Sequence, residues 1–235
     1  MPANHSLAER LAAVRARIRD ACGRVGRDPG EVALLAVSKT RSADEVRALS
    51  QAGVHRFGEN YLSEAEAKQD ALRERRLEWH FIGPVQSNKT RALARRFDWV
   101  QSVDRPKVVR RLADQRPAER GPLNVLLQVN IDREPQKAGC DPDAVAGLAD
   151  AVADRDELAL RGLMAIPAPP GEGGDPRAPF AQLRDCFERL RADHPGVDTL
   201  SMGMSADLEA AIAEGATLVR IGTALFGPRG PRRDG

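Results

Sequence analysis

The chain has 235 residues, of which 36 are Lys or Arg and 34 are Asp or Glu, so its formal net charge is +2. Because charges of both signs are interspersed, we expect no surface field that would hold nucleic acid or a membrane. Cys22, Cys140 and Cys186 form no CxxC pair and have no metal-ligand spacing, which predicts no metal site and favours a reducing, cytoplasmic compartment. The first residues also lack the apolar core of a signal peptide.

Short β-branched apolar runs alternate along the chain with charged, helical runs, which is typical of β/α units and a parallel sheet. The predicted strands are 32–38, 55–59, 79–83, 98–103, 123–130, 158–164, 197–202 and 217–222. Eight such strands predict a single α/β domain spanning 1–235, a closed (β/α)₈ TIM barrel. An open nucleotide-binding sheet is disfavoured because neither GxGxxG nor GxxxxGK[ST] is present.

Helix starts are predicted where a Ser precedes a Glu by three residues, the spacing of a capping box. This pattern predicts an extra N-terminal helix after Ser6, which ends near Cys22, and further helices capped by Ser42 and Ser63. Residues 167–179, rich in Pro and Gly, are predicted to be a mobile loop, and a disordered basic tail is predicted from about residue 228.

Lys39 is the sharpest functional candidate, because it follows a fully apolar strand and so stands at the mouth of the predicted barrel. The low-dielectric walls there disfavour the ammonium form, and a neutral amine attacks carbonyl carbons. Ser201–Ser205 and Gly222–Thr223 follow the last two strands, where barrels often bind phosphate, and Ser205 is the predicted N-cap of the next helix. A phosphorylated aldehyde such as pyridoxal 5′-phosphate, bound as a Schiff base, is the expected ligand.

Arg220 also stands at a strand end, where it could donate a hydrogen bond to the pyridine nitrogen of that ligand. A permanently cationic partner would keep the nitrogen unprotonated and the ring a weak electron sink. The alternative is structural: Arg220 could pair with a barrel carboxylate such as Glu59.

Six ordered motifs, covering about residues 6–228, resemble the YggS/PROSC family of pyridoxal phosphate homeostasis proteins, whose fold resembles the N-terminal barrel of alanine racemase. They are LLAVSKT, FGENYLSEAEAK, WHFIGPVQSNKT, LLQVNI, LRGLMAIP and LSMGMSADLEAAIAEGATLVRIGTALFG. The resemblance implies a Schiff base on Lys39 and Arg220 at the pyridine nitrogen. It further implies that the phosphate is surrounded by Ser201, Met202, Gly203, Ser205, Gly222 and Thr223, and that Asn60 and His80 line the same pocket. Met164, at the end of the sixth predicted strand, is a further candidate for this pocket.

Two functions remain open at this point, a protein that buffers pyridoxal 5′-phosphate and supplies it to apo-enzymes, and a cofactor-dependent amino-acid racemase. A two-base racemase needs an acid or base on each face of the substrate Cα. The related racemases take the second one, a Tyr, from an additional β domain, whereas this chain has one Tyr, Tyr61, and no such domain. The carrier, a monomer without strong catalytic activity, is therefore preferred.

Overall fold

Eight short parallel strands form a closed barrel in the computed structural model, which describes residues 6–169 and 174–228. The strands are β1 (Ala33–Val37), β2 (Arg56–Glu59), β3 (Glu78–Phe81), β4 (Trp99–Val103), β5 (Leu123–Gln128), β6 (Leu158–Met164), β7 (Thr199–Ser201) and β8 (Leu218–Ile221). Each strand pairs with its neighbour in chain order, and β8 closes the barrel on β1, with Leu35 opposite Arg220. The predicted (β/α)₈ barrel is confirmed.

Helices surround the barrel and cover its outer face. Within the described residues they are α1 (Leu7–Arg24), α2 (Ala43–Gln51), α3 (Leu62–Ala71), α4 (Thr90–Arg96), α5 (Pro106–Gln115), α6 (Val145–Ala153), α7 (Ala178–Asp193), α8 (Leu208–Ala213) and α9 (Thr223–Phe226). The additional helix α1 buries Leu11, Val14 and Ile18 and packs against α8 and α9. None of the helices in the described part of the chain is long and apolar enough to cross a membrane.

Two of the three predicted capping boxes are confirmed. The Ser6 and Ser42 side chains accept a hydrogen bond from the backbone three residues later, in reciprocal capping boxes. The Ser63 cap is wrong, because α3 begins at Leu62 and Ser63 lies inside it. Tyr61 occupies the N-cap position without a side-chain hydrogen bond, and Glu64 in the first turn accepts a hydrogen bond from the backbone of Thr40.

Strand ends and loops differ from the prediction in detail. The seventh strand is limited to Thr199–Ser201, and α7 begins at Ala178, inside the segment predicted as a loop. Residues 170–173 of that segment, and residues 229–235 of the predicted tail, lie outside the described residues.

The apolar core lies mainly between the barrel and its helices, where Phe57, Phe97 and Leu112 are fully buried. A second, smaller cluster inside the barrel consists of Trp99, Leu126 and Met164. This inner cluster fills the barrel below its mouth, so the remaining space opens at the carboxyl ends of the strands, where barrel enzymes place their sites.

A close approach between β6 and β7 occurs at Gly162. Its φ is +144°, a value that L side chains rarely adopt, and an added Cβ would overlap the carbonyl oxygen of Thr199. The register between β5 and β6 shifts in the same stretch, between Val125 and Leu126. Only glycine fits this position.

We therefore expect Gly162→Ala to lower the free energy of unfolding by about 2 kcal/mol or more, through strain and overlap. Gly147→Ala is the matched control, because Gly147 lies in α6 and an added Cβ there meets no atom within 4 Å. In that control the free energy of unfolding should rise by roughly 0.5–1 kcal/mol, because Ala has a higher helix propensity than Gly. Urea denaturation measures both changes, and equal effects at the two positions would contradict the assignment of strain.

Candidate functional site

A cavity of about 280 Å³ opens at the mouth of the barrel. This volume is close to the lower end of the range for small-molecule sites. The lining residues come from the ends of several strands and the loops after them: Val37, Lys39, Arg41, Asn60, Ile82, Ile166, Met204, Ser205, Ala206, Arg220, Gly222 and Thr223. Six of the predicted site residues are in this set, namely Lys39, Asn60, Ser205, Arg220, Gly222 and Thr223.

Lys39 lies two residues beyond β1, half-buried, with both of its chain neighbours held in place. Before it, the Ser38 hydroxyl donates a 2.6 Å hydrogen bond to Glu59 Oε1. After it, Thr40 has a φ of +64° and donates its backbone N–H to Glu64 Oε2 at 2.7 Å. Positive φ is unfavourable for a β-branched residue, so this turn is imposed by its surroundings, and it fixes the direction of the Lys39 side chain.

A buried ion pair supports this turn from outside the barrel wall. Lys68 Nζ lies 2.7 Å from Glu59 Oε1 and donates a second hydrogen bond to the Ser38 carbonyl oxygen at 2.6 Å. Burial raises the pKa of Glu59, and the Lys68 ammonium opposes that shift. The ion pair of Glu59 is with Lys68, so the structural alternative in which Glu59 holds Arg220 is wrong.

Arg220 is buried inside the barrel, below Lys39 on the neighbouring strand. Its Nη1 donates to Ser201 Oγ and its Nη2 to the Ala165 carbonyl oxygen, both at 2.8 Å. Burial lowers the pKa of the guanidinium to about 10, so the group remains a cation at neutral pH. No carboxylate among the described residues forms an ion pair with it, and a buried charge held only by neutral acceptors favours a further acceptor from the cavity.

The loops after β7 and β8 contribute the hydroxyls of Ser205 and Thr223 to the cavity wall. Ser205 Oγ is 3.4 Å from the backbone nitrogen of Ala224, which joins the two loops after β7 and β8. The prediction that Ser205 is a helix N-cap is wrong: α8 begins at Leu208, with Asp207 at the N-cap position. The Asp207 carboxylate accepts from the Met204 backbone instead, and Ser205 stays on the cavity wall.

Asn60 contributes a polar atom that lacks a partner. Its Oδ1 is buried, and no donor within the described residues reaches it. An unsatisfied buried acceptor costs free energy unless a ligand or a water supplies the donor. Asn60 lines the cavity, so this side chain has unused capacity to accept a hydrogen bond close to the cavity wall.

Five predicted site residues do not line this cavity. Ser201 lies beneath Arg220, Met202 is buried in the outer core, and Gly203 (φ +90°) packs under α8 with no room for a Cβ beside Ala211. Met164 belongs to the inner cluster with Trp99 and Leu126. His80 lies deeper in the barrel, stacked on Trp99 and hydrogen-bonded to Glu78 and Gln101. The motifs that contain these residues are near the cavity, but their side chains lie deeper in the barrel or in the core outside it.

Arg41 is the functional residue that sequence reasoning missed. It lines the cavity, and its guanidinium also donates to the Phe226 and Gly227 carbonyl oxygens after β8. Its position two residues after Lys39 is the signal that could have identified it. Ile166 and Met204, also missed, expose 44% and 38% of their surface at the mouth.

The charge of the cavity is one-sided. Its lining includes the cations Lys39, Arg41 and Arg220 and no carboxylate. Such a lining raises the local concentration of anions and strengthens their binding. The cavity is therefore suited to a small anion that accepts hydrogen bonds and places a reactive carbon near an amine.

Comparisons with known proteins agree with this geometry. Residues 10–230 match the family described as alanine racemase, N-terminal domain. The pyridoxal phosphate homeostasis protein of Pseudomonas aeruginosa is 57% identical over 224 residues, which are 95% of this chain and 96% of that protein. The protein of the same name from Escherichia coli is 50% identical over 228 residues, with 96% and 97% covered.

Two solved structures are similar to this chain in fold. PipY of Synechococcus elongatus, solved with PLP bound, has a TM-score of 0.82 and 37% identity, with 94% of this chain and 100% of that chain covered. Alanine racemase from Corynebacterium glutamicum has a TM-score of 0.64 at 17% identity and covers 94% of this chain with 61% of its own, a likeness of fold alone.

Proposed function

The chain belongs to the family of pyridoxal phosphate homeostasis proteins, and we propose that it binds pyridoxal 5′-phosphate at the barrel mouth, buffers it and supplies it to apo-enzymes. One observation carries the proposal: Lys39, Arg220 and the hydroxyls of Ser205 and Thr223 line a single small cavity without carboxylates. The relatives' printed name and the PLP-bound PipY structure support it.

The residues present fit this ligand at three points. The phosphate is a dianion, and Ser205 and Thr223 offer hydroxyl donors beside the Gly222 backbone. Arg220 offers its remaining N–H groups as donors to the ring nitrogen, which must then be unprotonated. Asn60 Oδ1 offers a buried acceptor, the complement of a ligand hydroxyl or water.

Lys39 is the proposed covalent attachment point. Pyridoxal 5′-phosphate supplies an aldehyde that condenses with primary amines and a ring that can withdraw electrons. The Lys39 Nζ lone pair attacks the aldehyde carbon, the amine gives up its two protons, and the aldehyde oxygen leaves with them as water, which forms the Schiff base. Residues Ser38 and Thr40, each held by a carboxylate, keep the Lys39 backbone in place during this exchange.

The lining favours a carrier over a racemase. Lys39 is the one group on the cavity wall with the chemistry of a general base, and the cationic Arg220 leaves the ring a weak electron sink. Tyr61, the single tyrosine of the sequence, does not line the cavity and exposes 52% of its surface. The residues that line the cavity include no second acid or base for the other face of a substrate.

The proposed setting is the cytoplasm, with the protein acting as a monomer that contacts apo-enzymes transiently. Cys22, Cys140 and Cys186 are buried free thiols whose pKa values burial raises, that of Cys140 to about 11. Such thiols are unreactive and suit a reducing compartment. The exposed side chains of Ile166 and Met204 offer apolar surface to a recipient at the mouth.

Lys39→Ala should abolish the visible absorbance of the Schiff base and the adduct that borohydride reduction leaves on the protein. Non-covalent binding should persist, because the phosphate contacts remain. Lys89→Ala is the matched control, since Lys89 is exposed at the N-cap position before α4 and does not line the cavity. Peptide mass spectrometry locates the adduct, and finding it on Lys89 or Lys137 would overturn the assignment.

Thr223→Val keeps the shape of the side chain and removes its hydroxyl. A charge-assisted hydrogen bond contributes about 1.5–3 kcal/mol, so affinity for pyridoxal 5′-phosphate should fall roughly tenfold or more. Affinity for pyridoxal, which lacks the phosphate, should already be low and should not change further. Titration calorimetry with both ligands tests this, and equal binding of the two by the wild-type protein would exclude a phosphate site here.

The loaded protein should activate an apo-enzyme but should not racemise amino acids at rates typical of enzymes, about 1–10³ s⁻¹. The assay incubates it with single enantiomers of Ala and Ser in deuterated water and follows Cα exchange and the opposite enantiomer. Rapid racemisation that disappears in Lys39→Ala would contradict the proposed carrier function and favour a racemase. Failure to activate an apo-enzyme would contradict the supply role.

A further inference from the structure

A line of buried polar side chains runs through the barrel from the cavity towards its opposite end. Arg220 Nη1 is 2.8 Å from Ser201 Oγ, which is 2.7 Å from Gln101 Oε1. Gln101 Nε2 is 2.9 Å from His80 Nδ1, and His80 Nε2 is 2.8 Å from Glu78 Oε1. Ser201, Gln101 and His80 are at most 1% exposed, whereas Glu78 lies at the far opening with Arg56 beside it.

The two ends fix the direction of every hydrogen bond in this line. A guanidinium can only donate and a carboxylate can only accept. Ser201 Oγ accepts from Arg220 and therefore donates to Gln101, whose amide nitrogen donates to His80 Nδ1. His80 is then the Nε2–H tautomer, which donates to Glu78. Each link leaves the next group a single orientation.

Such a line is costly inside a barrel, whose interior is usually filled by branched apolar side chains. A polar network in a low-dielectric interior is favourable only when every member is satisfied, and one missing link leaves a buried group unpaired. Burial lowers the pKa of His80, which keeps the imidazole neutral and able to accept from Gln101. A purely structural interior would be simpler to build from apolar residues.

We propose that Gln101 and His80 are positioning residues for the ligand of the cavity, which they influence through Ser201 and Arg220 without touching it. They hold the Arg220 guanidinium in one orientation, so that the same N–H groups always face the ligand. This inference rests on the proposed binding of pyridoxal 5′-phosphate. By thermodynamic reciprocity, a ligand that contacts Arg220 changes the hydrogen bonding of His80 at the other end of the line.

Gln101→Leu removes both central links while keeping a side chain of similar size. Leu126→Ala is the matched control, because Leu126 is fully buried in the same barrel interior but has no part in the line. Both variants should lower the thermal midpoint. Only Gln101→Leu should also shift the absorption maximum of bound pyridoxal 5′-phosphate and weaken its binding by about fivefold or more.

A second pair of variants separates positioning from packing at His80. His80→Phe can stack on Trp99 but cannot accept from Gln101, so it should reproduce the altered spectrum. His80→Gln retains one donor and one acceptor and should restore at least part of the wild-type spectrum. Equal spectra for Phe and Gln at this position would overturn the inference.

Nitrogen NMR of the wild-type protein gives a readout that does not depend on activity. The ligand-free protein should show the Nε2–H tautomer for His80, assigned by its loss in His80→Gln. Adding pyridoxal 5′-phosphate should move that signal in wild-type protein and not in Gln101→Leu. If the wild-type protein binds no ligand, the proposed function fails and this inference with it. If it binds but His80 does not respond and Gln101→Leu matches Leu126→Ala, this inference alone fails.

Discussion

The site depends on the pairing of the first strand with the last. Lys39 and Arg220 are far apart in the chain, and they share a cavity because β8 closes on β1 with Leu35 opposite Arg220. Arg41 strengthens the same seam by donating to the Phe226 and Gly227 carbonyl oxygens. The distance between the amine and the guanidinium therefore depends on the pairing of β1 with β8.

The arrangement of polar groups in the barrel interior depends on the burial of one cation, Arg220. A cation without a protein carboxylate needs acceptors, and Ser201 and the Ala165 carbonyl supply two of them. Ser201 in turn needs an acceptor for its own proton, which brings Gln101 and then His80 into the interior. On the other side, the Arg220 guanidinium lines a cavity whose described lining has no carboxylate. The same charge therefore organises both the ligand site and the floor beneath it.

Much of this could be predicted from the sequence, because alternating apolar and charged runs reveal β/α units and strand ends mark the barrel mouth. Strand ends place Lys39, Arg220, Ser205 and Thr223 at the mouth, and the structure has all four on the wall of one cavity. Depth could not be predicted: Ser201, Met202 and Gly203 are consecutive, yet they lie under Arg220, in the outer core and beneath α8. A period of two assigns a side chain to a face of the sheet but not to a layer of the barrel.

Local competition explains the errors at helix starts. Ser63 and Ser205 both have the composition of an N-cap, but Tyr61 and Asp207 occupy the cap positions. In the first case the helix begins one residue before the serine, with no side-chain cap from Tyr61. In the second, the Asp207 carboxylate closes the preceding turn on the Met204 backbone. The local sequence pattern alone therefore does not determine where either helix begins.

The filled interior of the barrel also determines how a molecule can pass through it. Beneath the cavity lie Arg220 and Ser201, and the side chains of Trp99, Leu126 and Met164 pack together in the same interior. The cavity therefore opens only at the carboxyl ends of the strands, and a bound molecule would leave by the opening through which it entered. The partly exposed side chains of Ile166 and Met204 line that opening, so a molecule that enters or leaves the cavity passes both of them.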